Sequence, residues 1–554
     1  MTTPTLVLRG GRVATPAATG GFAEAMAVAG DTIVAMGSNE EIDALRAPST
    51  RVVDLAGRLA LPAFGDAHVH AVSAGVESLR CNLLGLRTRH ECLAAIAAYA
   101  AGRGESEWVV GGGWSLEAFP GTPSAADLDA AGGGRPAFLP NRDHHSAWVS
   151  TRALDLAGID ASTPDPPNGR IERDDAGRPT GTLHESAMAL VARLVPATSP
   201  EELADGLRAA LATLHALGVT HWQDACVGDA GDIGVTDTFE TYASAARDGW
   251  LSARIRGALW WDRHAGLEQV PFLLGRREAA PDGAFRATSV KVMVDGVCET
   301  FTAAMSRAYL GAPGRGGAHR GELFIEPEEL SGAVAALDAE GFQVHFHAIG
   351  DRAVSTTLDA LDALGPTRWG VGRHHIAHLQ FIAPPDLDRF ARLGAVATFQ
   401  PLWACSDPQM EELTIPFVGE ERAAWQYSIG SLWSRGARVA FGSDWPVSSP
   451  DPLQEIHVAV NRTLSPTFGR PGTDETTRPF RPREAVPVAA AVDAFTRSVA
   501  YVNGDDHLLG SLEVGRRADV AVLNQDIYAV APGDIGATSV DLTVAGGAVV
   551  HGDE

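Results

Sequence analysis

The sequence predicts an α/β protein: a TIM-like (β/α)8 barrel with a small β-sandwich domain built from both termini and a large α+β insertion after the first barrel strand. Three observations carry this reading. Eight short apolar segments recur between residues 61 and 443, and from about 200 to 450 they alternate with helical stretches. Metal-friendly side chains cluster where those segments end, the edge at which such barrels place their chemistry. Both ends of the chain carry short strand-like pieces separated by glycines instead.

Leu6-Val7-Leu8 and Thr32-Ile33-Val34-Ala35 open the chain, and Ala518-Asp519-Val520-Ala521-Val522-Leu523 and Asp541-Leu542-Thr543-Val544 stand near its end. Together they predict one composite β-sandwich domain from residues 1–60 and 505–554, around a barrel spanning 61–504. Leu61 to His70 reads as the first barrel strand. Residues 71–215 are too many for a βα loop and predict an inserted α+β subdomain over the barrel mouth. Ser199-Pro200-Glu201-Glu202 combines a Ser cap with Pro at the first helical position and starts a helix through Leu203 to Leu217. A glycine then turns the chain into Val219-Thr220-His221-Trp222. Further strands follow at Ala253 to Trp260, Ser289 to Val294, Phe342 to His347, His375 to Gln380, Ala395 to Gln400 and Arg438 to Ser443.

A length of 554 residues exceeds one simple core, and 45% hydrophobic with 20% charged residues is ordinary for a globular protein. A net charge of −25 without any basic run argues against nucleic acid or an anionic membrane as partner. The opening Met1-Thr2-Thr3-Pro4-Thr5 lacks a charged region followed by an apolar one, and no stretch reaches bilayer-spanning length. A cytoplasmic location is the expectation. Cys81, Cys92, Cys226, Cys298 and Cys405 are odd in number and show no CxxC spacing, which suits a reducing compartment and no thiolate zinc site.

Lys291 is the only lysine; every other one of the 44 basic residues is arginine. Arginine stays charged, whereas a buried lysine can lose its proton and act as a nucleophile, form a Schiff base or react with carbon dioxide. The alternation in Ser289-Val290-Lys291-Val292-Met293-Val294-Asp295-Gly296 puts the valines on one face of a buried strand and Lys291 on the other with Ser289, Met293 and Asp295. A structural ion pair with Asp295 or another acid is the competing reading of the same residues.

Phe64-Gly65-Asp66-Ala67-His68-Val69-His70 sets His68 and His70 on one face of an extended strand, where two imidazoles can grip one ion. The fifth strand ends in His345-Phe346-His347-Ala348-Ile349-Gly350-Asp351, the sixth in His378-Leu379-Gln380, and the eighth in Gly442-Ser443-Asp444-Trp445-Pro446. Each motif alone is weak; their joint occurrence at strand ends carries the argument.

With these motifs the chain resembles the amidohydrolase superfamily, and within it the YtcJ-like branch that includes N-substituted formamide deformylases. The resemblance rests on Leu61 to His70, Val290-Lys291-Val292 with Asp295-Gly296, His347 to Asp351, Gly442 to Pro446, and Gly510 to Gly515 followed by Ala518-Asp519. It implies that His68 and His70 bind one divalent ion and His347 and His378 a second. Lys291, carboxylated by carbon dioxide, would bridge them, and Asp444 would touch the first ion and the attacking water. Zinc suits such ligands, with one or both positions filled. A carbamate offers two oxygens on a long arm and forms only from an uncharged amine.

The implied activity is hydrolysis of an amide-type C–N bond in a small N-acyl or N-formyl compound by metal-activated hydroxide, with Asp444 as general base and then acid. Hydrolytic deamination, cyclic-amide opening and ester hydrolysis would use the same centre; a non-catalytic binding protein is the more distant alternative. The family also suggests a homodimer. His145, in Asp143 to Val149, and Glu185, in Thr180 to Glu185, match family positions expected to face the substrate. Trp114, Trp403 and Trp445 are expected to line an apolar pocket. His345 reads as structural or supporting, and His374 and His375 stay open. The chain departs from the family pattern at Ala63, Ala377, Ser150 and His144, which stand where Gly, Glu, Asn and Gly are usual.

Overall fold

The computed structural model describes residues 3–15, 21–104, 106–228, 236–281, 283–311 and 317–552. Residues 1–2, 16–20 and 553–554 of the expected terminal domain lie outside them. All eight apolar segments form strands of one parallel sheet, labelled in chain order: β1 (Phe64–Val69), β2 (Val219–Val227), β3 (Arg254–Trp260), β4 (Phe285–Met293), β5 (Gln343–Ala348), β6 (His375–His378), β7 (Val396–Phe399) and β8 (Val439–Phe441). Each pairs with its sequence neighbour, as short βα units require.

The two ends of this sheet meet. Asp444 N donates to His68 O at 2.7 Å and His70 N to Trp445 O at 2.9 Å. Ser443 Oγ donates to Asp66 Oδ2 at 2.6 Å. A Cβ on Gly442 would lie 2.5 Å from His68 N, so only glycine permits β8 to come this close to β1.

The expected first strand is split. Leu59–Pro62 pairs antiparallel with Val520–Leu523 in a terminal sheet, and Ala63 N donates to Asp519 O at 2.9 Å. From Phe64, whose N donates to Gly218 O at 2.9 Å, the chain belongs to the barrel. The barrel therefore starts at residue 64 rather than 61, because the backbone exchanges hydrogen-bond partners at Ala63 within one continuous apolar run.

Strands from both termini form a four-stranded and a six-stranded sheet around a shared core that includes Leu6, Met26, Ile33, Val520, Val522 and Leu542. Between β1 and β2, six strands from Cys81–Asn82 to Pro179–Glu185 make one sheet with helices Arg89–Ala101, Ala125–Gly132 and Thr151–Ala157 beside it. Helices Ala71–Leu79 and Pro200–Ala216 lead into and out of this region and pack on each other. The second begins as expected: Ser199 Oγ accepts from Glu202 N at 3.1 Å, and the Glu202 carboxylate accepts from Ser199 N at 2.9 Å. All five cysteines are buried and unbridged. No helix among the described residues is long and apolar enough to cross a membrane.

The two connecting helices touch at glycine: a Cβ on Gly75 would lie 1.9 Å from Gly206 O. Gly75→Val is therefore expected to lower the apparent Tm in a thermal scan, since overpacking of this kind costs about 1–3 kcal/mol. Gly102→Ala, where an added Cβ meets nothing within 4 Å, is expected to leave it unchanged.

Candidate metal centre

Barrel closure assembles the centre. His68 and His70 leave β1 on one face, and Asp444, with φ of 54°, follows β8. His68 Nε2 lies 3.2 Å and His70 Nε2 3.1 Å from the same oxygen, Asp444 Oδ1. The three ligand atoms fall within 4.8 Å of one another. His68 Nε2 and Asp444 Oδ1 are buried, yet neither makes a hydrogen bond. Two lone pairs facing each other at this distance would repel unless a proton or a metal cation lay between them, and two imidazoles with a carboxylate suit a divalent ion such as zinc. Burial and the Lys291 ammonium pull His68 down to about 3, so its imidazole is neutral. Burial opposes the charge on Asp444, but the surrounding imidazoles hold its carboxyl well below the usual range.

His68 is oriented from behind by His345, whose Nε2 lies 2.8 Å from His68 Nδ1. With Nε2 of His68 kept as a lone pair, Nδ1 carries the proton and donates to His345. The His345 ring rests on His375 at 3.9 Å between centroids. His375 in turn bonds Gln223 Oε1 at 2.7 Å and Thr398 Oγ1 at 3.0 Å. Both histidines thus belong to a support beneath the centre. His374 does not: it bonds Asp338 at 3.2 Å and accepts from Val344 N at 2.9 Å.

Lys291, His347 and His378 line the same cavity as His68, His70 and Asp444. The His378 ring lies 4.6 Å from that of His68 and 4.4 Å from that of His347. His378 Nδ1 bonds Gln400 Oε1 at 3.0 Å. Among the described His, Cys, Asp and Glu side chains, only His68, His70 and Asp444 converge as a three-ligand cluster. Lys291 is 3% exposed, and burial pushes its ammonium down to about 8, within reach of the uncharged amine. Asp295 is otherwise engaged: it accepts from Ala304 N at 2.8 Å and from Ile349 N and Gly350 N at 2.9 Å each, tying together the segments after β4 and β5.

The insertion delivers His145 and Glu185 to the cavity wall. His145 Nδ1 lies 3.0 and 2.9 Å from the two Glu185 oxygens, and Glu185 Oε1 also accepts from Thr302 Oγ1 at 2.7 Å and Thr300 Oγ1 at 3.2 Å. Burial disfavours the imidazolium, yet the facing carboxylate outweighs it and raises His145 to about 9.

Two expected tryptophans are elsewhere. Trp114 is fully buried in the insertion core, 5.7 Å from Phe119 and 6.3 Å from Trp148 between ring centroids, and donates Nε1–H to Leu139 O at 2.7 Å. Trp445 packs into the barrel core rather than the cavity wall, because the strand-end backbone that aims Asp444 inward turns the next side chain away. Trp403 does line the cavity, its ring parallel to His378 at 5.4 Å. Gln400, Thr300 and Thr302 were not anticipated. Gln400 directly follows β7, the one available sequence signal; the two threonines sit on a loop and carry none.

Replacing His345 by Phe keeps a ring but removes the acceptor for His68. A fall in metal affinity of about 10–100-fold is expected, read by competition with a chromogenic chelator. Trp114→Phe, by contrast, is expected to lower the Tm while leaving metal affinity unchanged.

A match to the amidohydrolase family spans residues 51–551. The chain is 30% identical over 532 residues to Protein LONG AFTER FAR-RED 3 of Arabidopsis thaliana, covering 95% of this chain and 88% of that one. It is 26% identical over 549 residues to N-substituted formamide deformylase of Arthrobacter pascens, covering 96% and 95%. An uncharacterized metal-dependent hydrolase from Pyrococcus horikoshii OT3 superposes with a TM-score of 0.73 at 22% identity, over 95% of this chain and 99% of that one, a likeness of fold. Motifs, barrel and the length of the match agree, and the chain belongs to the amidohydrolase family of hydrolases.

Proposed function

We propose that the protein is a metal-dependent hydrolase that cleaves the amide-type C–N bond of a small N-acyl or N-formyl compound, releasing an acid and an amine. The observation that carries this is the unpartnered pair His68 Nε2 and Asp444 Oδ1, buried beside the half-buried His70 in a cavity that Lys291 also lines. The likeness to N-substituted formamide deformylase favours the amide bond over other bonds open to hydrolysis. A divalent ion held by His68, His70 and Asp444 would supply a Lewis acid and a water acidified toward neutral pH.

Asp444 is ionised and faces the cavity, so its carboxylate takes the proton of the attacking water and returns it to the departing nitrogen. His145, held at Nδ1 by Glu185, offers its Nε2 edge to the substrate carbonyl oxygen. The uncharged Lys291 amine adds to carbon dioxide, forming an N–C bond and releasing one proton to give a carbamate. With His347 and His378 that carbamate would hold a second ion. Val297, Ile349 and Trp403 keep bulk water from the reacting carbon.

Metal content by plasma mass spectrometry, on protein prepared with zinc and bicarbonate, tests the centre. The wild type is expected to carry one or two ions, and Lys291→Arg to lose at least one of them together with amidase activity. Unchanged metal and activity in Lys291→Arg would make the lysine structural. Asp444→Asn is expected to lower kcat on a cleaved amide by about 10²–10⁴-fold. Release of free ammonia from substrates with an amino group on a ring would instead point to deamination.

A further inference from the structure

Beside the metal centre lies a second chamber of about 370 Å³. The two cavities share Asp143, Val297, Ile349, Trp403 and Val447 as walls, so they adjoin along these side chains. The chamber is framed by the insertion on one side, through Leu84 and Leu86, and by barrel loops on the other, through Leu402, Met410, Leu464 and Phe468. Those six side chains give it a largely apolar lining. Trp403 stands at the junction, with its ring stacked flat on His378.

The polar part of the wall is unevenly charged. Five carboxylates, of Glu117, Asp143, Glu299, Asp407 and Glu475, stand among three guanidiniums, of Arg87, Arg142 and Arg470, and the first four face Arg142. Arg142 is already engaged: it donates to Gln409 Oε1 and lies 3.6 Å from Glu117 Oε1. Arg87 is likewise matched, 3.3 Å from the buried Glu475. An anion entering the chamber would meet more carboxylates than guanidiniums, two of the three guanidiniums being already engaged, whereas an apolar or cationic group would meet compatible walls.

We infer that this chamber is the subsite for the larger portion of the substrate, an aryl or alkyl group that is neutral or positively charged, and that Trp403 sets how bulky that group can be next to the scissile bond. The inference rests on the amide-hydrolase reading and adds the class of substrate. A compact acyl group fits beside the metal-binding residues, and the remainder of the amide extends past Trp403 between the insertion and the barrel. Opposed pockets of this kind discriminate through shape and charge together, each fault costing roughly tenfold or more in kcat/KM.

The experiment uses the full-length, metal-loaded protein and para-substituted anilides of matched size bearing methyl, aminomethyl or carboxylate groups, with acetamide as the compact reference. The wild type is expected to favour the methyl and aminomethyl compounds over the carboxylate by at least about tenfold in kcat/KM. Leu86→Trp fills the chamber from the side remote from the metal centre. It is expected to lower the ratio of anilide to acetamide turnover by a similar factor while metal content and Tm hold. Asp407→Asn, which keeps the acceptor for Met410 N, is expected to narrow the preference for aminomethyl over carboxylate. Trp403→Ala is expected to shift the ratio toward ortho-substituted, bulkier anilides. Wild-type ratios that Leu86→Trp and Trp403→Ala leave unchanged would overturn the subsite. Calorimetric titration of the same anilides separates the two readings: wild-type binding that Leu86→Trp abolishes supports the chamber even if no amide is cleaved, in which case the amide-hydrolase reading alone fails. Binding equal in both proteins refutes the chamber whatever the reaction.

Discussion

The closure of β8 onto β1 is the contact on which the centre depends. Asp444 N to His68 O and His70 N to Trp445 O are backbone bonds, and they place the side chains of His68, His70 and Asp444 around one point. Asp66 reinforces the seam by accepting from His68 N, Ser443 N and Ser443 Oγ. Ligands and hydrogen bonds therefore cannot be separated: a barrel that failed to close would have no three-ligand cluster. Gly442 serves the same end, since any side chain there would strike the backbone of His68.

Burying this many ionisable groups is costly unless each is neutral or matched. The imidazoles of His68, His345, His347, His375 and His378 are all driven toward the neutral form by burial, which keeps their lone pairs for ligation or hydrogen bonding. Asp444 and Glu185 stay ionised because imidazoles and hydroxyls face them. Lys291 sits between these regimes: burial disfavours its ammonium, and the nearby Asp444 charge, with a smaller contribution from Cys226, favours it. Arginine at this position would remain charged and could not form a carbamate.

The barrel supplies the reacting groups and the insertion supplies the enclosure. Glu185 ends one strand of the insertion and His145 directly precedes its neighbour; Ser146 lies opposite His184 and Glu185 N donates to His145 O at 3.1 Å, so one antiparallel pairing fixes their meeting. Thr300 and Thr302, from the segment after β4, hold Glu185 from the barrel side. The cavity thus lies between two separate sheets, and the chamber past Trp403 lies along the same boundary.

The order of strands, the HxH face of β1, the singular Lys291 and the capped helix at Ser199 were legible in the sequence, because each depends on side-chain period or on chemistry within a few residues. The same local rules misplaced the start of the barrel, since one apolar run serves two sheets and only hydrogen-bond partners distinguish Leu59–Pro62 from Phe64–Val69. They also could not sort the tryptophans: Trp114, Trp403 and Trp445 all follow strand-like segments, but only packing directs Trp403 to the cavity. Gln400 behind His378 and the threonines behind Glu185 belong to the same class, whereas the supporting place of His345 was readable two residues before His347. The sequence by itself determined which chemistry is available and on which strand ends it stands. The tertiary structure decided which of those groups meet, because contacts such as Ser443 to Asp66 join residues 377 apart and exist only once the barrel has closed.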